Sequence, residues 1–220
     1  AQPVAASGGL ADVAGSLPKA LVEEGHEACV VVPLYVNTIK QQWRDQMTYV
    51  TNFSVPVGWR NQYCGLFTAK INNVTYYFLD NEYYFKRDFG LYGYYDDAER
   101  YAFFSRAVLE MLKVIDFKPQ IINSNDWQCA LIPVYYSIFY RNDEKLWGIK
   151  NVFTIHNIQY QGRYGMEILE DVLGIPKHFA SLMEYDRDIN LMKAAIEVAD
   201  KVTTVSPTYS KAVSYTHLTL

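Results

Sequence analysis

Short apolar runs rich in β-branched residues alternate along this chain with stretches of helical periodicity. That alternation restricts the fold to an α/β class built on a parallel sheet. Residues 28–33 (Ala-Cys-Val-Val-Val-Pro), 120–124, 151–155 and 201–205 each have the length and composition of a buried strand. Between them, Tyr101, Phe104, Val108, Leu112 and Ile115 recur at spacings of three and four, which predicts one apolar helix face within 96–115. Residues 16–24 read as another helix, closed by Gly25 as a C-cap, with Pro18 predicting a break or a first-turn position.

The stretch 49–80 departs from this pattern. Two apolar segments, 63–71 and 74–79, flank Asn72-Asn73, which predicts an antiparallel hairpin inserted at a sheet edge. No internal repeat or low-complexity linker divides the chain, so it reads as one domain.

Half of the residues are hydrophobic and a fifth are charged, enough to fill a core. No run approaches the roughly 20 apolar residues of a membrane span, and no cleavable leader is visible. The expectation is a cytoplasmic protein with no membrane partner. A net charge of −4 argues against a nucleic-acid partner, whose phosphates call for cations. Cys29, Cys64 and Cys129 are odd in number and lie in apolar sequence, as buried reduced thiols would. No Cys or His pair has metal-ligand spacing. Aromatic content is high, with 19 Tyr, 11 Phe and 4 Trp, and it serves packing as readily as it serves stacking on sugar rings.

Four motifs carry candidate chemistry. Gly8 and Gly9 precede a helix whose positive end suits a diphosphate, although a plain turn fits equally well. Asp12 then sits where the helix dipole alone favours an acid. Asp126-Trp127 falls where a strand ends and a helix begins, the edge at which open α/β sheets bind ligands. Asp126 could equally cap that helix. Residues 153–162 run from a buried strand into His156, Asn157, Gln159 and Tyr160 before Gly162, a density of polar groups that points to a site over a structural histidine. Residues 83–93, with Tyr84 and Tyr92, form an aromatic, charged, glycine-punctuated loop, apt as a rim for a glucan or as a simple surface loop.

In order and spacing these motifs resemble the bacterial glycogen/starch synthases. The family's K-x-G-G-L-x-D-V-x-G-x-L-P-x-A-L signature stands at 6–21, with Ala6 in the Lys position. The G-H-E-V-x-V-x-x-P run stands at 25–33, with Ala28 for the usual Val and Cys29 at the next position. N-D-W-[HQ]-x-A-L stands at 125–131, F-T-x-H-N-x-x-Y-Q-G at 153–162 and A-D-x-x-T-x-V-S-P-T-Y at 199–209. The resemblance implies a GT-B glycosyltransferase, of which residues 1–213 supply the N-terminal Rossmann-like domain, incomplete at both ends, without the C-terminal domain. The segment 214–220 does not continue the pattern and is expected to be a non-native tail.

The implied reaction transfers glucose from ADP-glucose to the non-reducing end of an α-1,4-glucan with retention, without metal or cofactor. The implied roles are Asp126 and His156 in catalysis and Gly8, Gly9 and Asp12 at the donor. Tyr84, Tyr92, Trp127, Asn157 and Tyr160 would line the glucan path. Ala6 in place of Lys removes one cation from the donor phosphates and leaves ADP- against UDP-glucose preference open. The chain alone is expected to be inactive. The alternative is a non-catalytic glucan-binding protein on the same fold. A dinucleotide oxidoreductase is disfavoured, since no G-x-G-x-x-G follows a strand.

Overall fold

The computed structural model describes residue 4 and residues 8–216; Ala6, Ser7 and the last four residues of the tail lie outside the described residues. The chain divides into two compact units, Ala1–Val55 with Asn61–Arg100, and Pro56–Arg60 with Tyr101–Leu220.

The first unit holds α1 (Gly8–Glu23), β1 (Cys29–Pro33), α2 (Gln41–Arg44), most of β2 (Thr48–Val57) and of β3 (Arg60–Ile71), β4 (Val74–Asp80), α3 (Glu82–Phe85) and the start of α4 (Asp97–Leu112). Its sheet runs β1-β4-β3-β2. β4 joins β1 in parallel and β3 in antiparallel register, with Ile71 opposite Val74. The predicted hairpin is therefore present, and it extends the sheet outward from β1. Its turn is made by Asn72 and Asn73, both at positive φ (51° and 65°), the left-handed pair that a two-residue turn of matching twist requires. Val30, Ile71, Val74, Tyr76 and Phe78 form the core beneath it.

α1 begins at the glycine pair itself, eight residues before the predicted start, and Pro18 lies inside it. The predicted break at Pro18 does not occur. A proline costs a helix one N–H bond and a clash one turn back, and here a mostly half-exposed or exposed helix absorbs it.

The second unit continues from α4 through β5 (Ile121–Asn125), α5 (Leu131–Tyr135), β6 (Lys150–Ile155), β7 (Arg163–Tyr164), α6 (Ile168–Asp171), α7 (Ala180–Met183), β8 (Glu184–Tyr185), β9 (Asp188–Asn190), α8 (Leu191–Val198), β10 (Lys201–Thr204) and α9 (Pro207–Thr216). Three of the four predicted strands, β5, β6 and β10, make a parallel sheet in the order β10-β6-β5. All five residues of α5 are buried, and they pack on α8. β7, β9 and β8 form a separate small antiparallel sheet.

α4 carries the predicted face, with Tyr101, Phe104, Val108 and Leu112 all buried, but Phe103, Ala107, Leu109 and Met111 are buried too. Ile115 falls beyond its end. Among the described residues no helix is long and apolar enough to cross a membrane. The three cysteines are unpaired; Cys64 is buried, Cys29 and Cys129 partly so.

Candidate functional site

β5 and β6 run parallel with Asn125 opposite Thr154, so Asp126 and His156 emerge side by side at the carboxyl ends of neighbouring strands. The Asp126 N–H donates to Thr154 O at 3.0 Å, continuing the ladder one step past the strand. Its backbone then turns to φ 57°, ψ −178°, a region nearly reserved for glycine. Holding an aspartate there costs about 1–3 kcal/mol, which the surrounding bonds must offset.

Those bonds are specific. Asp126 Oδ1 accepts the backbone N–H groups of His156 (2.7 Å) and Asn157 (3.1 Å). The reading of Asp126 as a helix cap is thereby corrected: it precedes the short 3₁₀ turn Trp127–Cys129 but makes no side-chain bond to it. The carboxylate reaches across to the next strand instead. Burial pushes its carboxyl above the usual range, opposed by the two amide bonds and by the nearby His156.

His156 is half-buried, and its Nε2 lies 2.9 Å from Asn125 Oδ1. Burial holds the imidazole below its usual 6.5, while the Asp126 charge pulls the other way. The loop that follows is fastened at each step. Asn157 Oδ1 accepts the Gln159 N–H at 3.0 Å, and Tyr209 Oη, from the Ser206-Pro207-Thr208-Tyr209 motif on α9, accepts the Ile158 N–H at 2.9 Å. Beneath the site, Thr154 Oγ1 links Asn123 Oδ1 and Thr203 Oγ1, each at 2.8 Å, tying all three strands together.

Trp127 is not an open stacking platform. It is 9% exposed and packs edge-on to Tyr101, with ring centroids 5.2 Å apart. Gly162 permits this, because a Cβ there would lie 2.9 Å from Trp127 Cε3 and 3.1 Å from Leu191 Cδ1. Part of the indole still borders a cavity of about 430 Å³, together with the exposed Tyr160. The sequence reading missed two further residues that line this cavity, Arg163 and Tyr185. Each lies in a two-residue strand, too short to leave a periodic signal.

In the first unit, Gly8 and Gly9 form the opening turn of α1, and nothing stands within 4 Å of where a Gly9 Cβ would be. Asp12 is exposed on the same helix. Tyr84 corrects an expectation: its ring is fully buried, its hydroxyl donates to Glu99 Oε1 at 2.6 Å, and it presents no face to a glucan. Asn81, capping α3 through the Tyr84 N–H, turns it inward.

Tyr83, Phe89 and Tyr92 are the exposed aromatics of that loop. The loop is braced by Arg100, fully buried, which pairs with Asp97 at 2.5 Å and donates to Tyr84 O (2.7 Å) and Leu91 O (3.2 Å). Asp97 Oδ2 in turn accepts the N–H groups of Gly93 and Tyr94. Among the described residues no cluster of three or more His, Cys, Asp or Glu side chains is placed to hold a metal ion.

A parallel α/β sheet with a strained aspartate and a histidine at adjacent strand ends has the geometry of a ligand-binding site. The model of the starch synthase catalytic domain family matches residues 1–218, and the chain belongs to that family. It is 46% identical over 213 residues to the glycogen synthase of Lactobacillus acidophilus, covering 96% of this chain and 44% of that protein. It is 49% identical over 213 residues to the glycogen synthase of Exiguobacterium sibiricum, covering 95% and 44%.

Among solved structures, the catalytic domain of starch synthase IV from Arabidopsis thaliana, bound to ADP and acarbose, superposes with a TM-score of 0.85 at 29% identity. That match covers 98% of this chain and 45% of the plant chain. The fold is thus the GT-B glycosyltransferase type that the motifs implied. The chain spans less than half the length of the curated relatives it matches.

Proposed function

We propose that this chain forms the acceptor-side part of a glycogen synthase that moves glucose from ADP-glucose to the non-reducing end of an α-1,4-glucan, with retention and without a metal. The carrying observation is Asp126, held at φ 57° by bonds to the His156 and Asn157 amides at the end of a parallel sheet. Strain of this kind persists where the surrounding structure over-determines it, as at sites of chemistry.

On this reading the anomeric C–O bond to the diphosphate breaks as the acceptor 4-hydroxyl adds from the same face, and the departing phosphate takes the hydroxyl proton. The protein's part is positioning and electrostatic stabilisation of a cationic sugar. Asp126 and His156 face the transferred glucose. His156, kept neutral by burial, can accept or donate a hydrogen bond to a hydroxyl without adding a positive charge beside the developing cation. Gly8 and Gly9, opening α1, supply backbone amides for the donor phosphates, and Asp12 follows them. Asn157, Tyr160 and Tyr92 border the acceptor. Support comes from the relatives named glycogen synthase and from the plant starch synthase bound to ADP and acarbose.

The test is a calorimetric titration of the chain with maltoheptaose and with cellohexaose, beside an assay for transfer from ADP-glucose to glycogen. The expected result is binding of the α-linked chain, weak or no binding of the β-linked one, and no transfer by the chain alone. Equal affinity for both sugars, or binding of neither, would remove the reading.

A further inference from the structure

β9 is the centre of the small sheet in the second unit, with Arg163 opposite Asn190 on one side and Tyr185 opposite Asp188 on the other. Directly opposed residues share a face, and so do residues two apart on one strand. Arg163, Asn190, Asp188 and Tyr185 therefore stand together on one face of the sheet. The cavity of about 430 Å³ that opens there is lined by Arg163 and Tyr185 with Trp127, Gln159, Tyr160 and Gln161. Its size falls within the usual range for ligand sites, roughly 300–1,000 Å³.

The wall is built in advance. Asn190 Nδ2 donates to Gln161 Oε1 at 2.6 Å, and Gln161 Nε2 donates to Ile158 O at 2.9 Å. Asp186 and Arg187, both at positive φ, close the turn that carries Tyr185, and the Arg187 N–H is held by Glu184 Oε1 at 3.0 Å.

The lining also selects its ligand. Tyr160 and Tyr185 are 64% and 47% exposed, so each leaves ring surface for an apolar sugar face. The single cation of the lining, Arg163, is already matched by Asp188 at 3.1 Å and Asp186 at 3.4 Å. A diphosphate would meet two carboxylates here, whereas a neutral polyhydroxylated chain meets none of that repulsion.

We propose that this cavity is an α-glucan subsite that continues the acceptor path past Tyr160, in which Tyr185 stacks on a glucosyl ring and Arg163 donates to its hydroxyls. The assignment rests on the acceptor-side reading above and adds to it a residue pair outside all the sequence motifs.

The experiment titrates the 220-residue chain with maltoheptaose in wild-type, Tyr185→Ala and Tyr185→Phe forms. It also follows the Tyr185 ring and Arg163 Nε signals of the wild type by NMR during addition of maltoheptaose and, separately, of ADP. The expected result is roughly tenfold weaker binding for Tyr185→Ala, near wild-type binding for Tyr185→Phe, and shifts in both signals with maltoheptaose but not with ADP. Wild-type binding left unchanged by Tyr185→Ala, or unaccompanied by those shifts, overturns the subsite alone. Shifts driven by ADP overturn its ligand class. A wild type that binds no maltoheptaose overturns the subsite together with the function on which it rests. If Tyr185→Ala fails to fold, the wild-type NMR shifts decide.

Discussion

Asp126 Oδ1 accepts the backbone N–H of His156 at 2.7 Å, so the two residues that the motifs single out separately are one unit across two strands. The acidic side chain is spent partly on architecture, since it fixes the direction in which the chain leaves β6. Any substitution at 126 therefore acts on the histidine through the backbone as well as through charge.

Asp126→Ala deprives two amides of their acceptor, and each unsatisfied group costs about 1–3 kcal/mol. We expect a loss of about 2–4 kcal/mol for Ala but only about 1 kcal/mol for Asn, whose side-chain carbonyl accepts both bonds. Urea unfolding of the two variants measures the difference; equal losses would show that the bonds contribute little.

The His156 imidazole, lowered by burial, should titrate in the folded chain with a midpoint below 6.5. Its contribution to stability is then full above pH 6.5 and lost as pH falls, because the unfolded chain takes up the proton first. Asp126, raised above 3.8, acts in the opposite sense: its contribution is full below that pH and lost as pH rises through the folded value. Removing the Asp126 charge by Asp126→Asn should move the His156 midpoint further down, as NMR of the ring protons would record. An upward movement would contradict the geometry.

Arg100 braces the 84–97 loop from a fully buried position, paired with Asp97. Arg100→Met leaves a buried carboxylate without its partner, which costs about 3–5 kcal/mol. Because Asp97 is the shared partner, Arg100→Met with Asp97→Asn should lose less than the sum of the single variants, as a double-mutant cycle by thermal unfolding would measure.

Gly162→Ala places a Cβ within 2.9 Å of the Trp127 ring at a φ of +66°. Overpacking and backbone strain together predict a loss of about 1–3 kcal/mol, with a shifted indole environment. Denaturant titration followed by tryptophan fluorescence checks both. Unchanged stability would mean that the ring moves aside freely.

The parallel strands were legible because each is a β-branched run bounded by polar residues, and the hairpin because Asn72-Asn73 sits between two apolar segments. Asp126 and His156 were legible as strand-end polar groups. Their bond was not, since it joins residues thirty apart through backbone atoms that carry no sequence signal. Arg100 looked like one charge on a helix, and only tertiary packing makes it a buried brace. Tyr84 read as a rim residue because a loop rich in tyrosine does not say which ring turns inward. Arg163 and Tyr185 lie in strands too short to show alternation, and pairing alone brings them to one cavity.

The central claim is that Asp126 and His156 form the sugar-transferring wall of an ADP-glucose-dependent synthase. Its most direct test places this chain in the position of the matching 213 residues of the Lactobacillus acidophilus glycogen synthase and measures transfer of labelled glucose from ADP-glucose to glycogen. The account predicts transfer by the hybrid and a loss of at least about a hundredfold on His156→Ala. A folded hybrid that transfers nothing, or one that transfers equally well with His156→Ala, would contradict it.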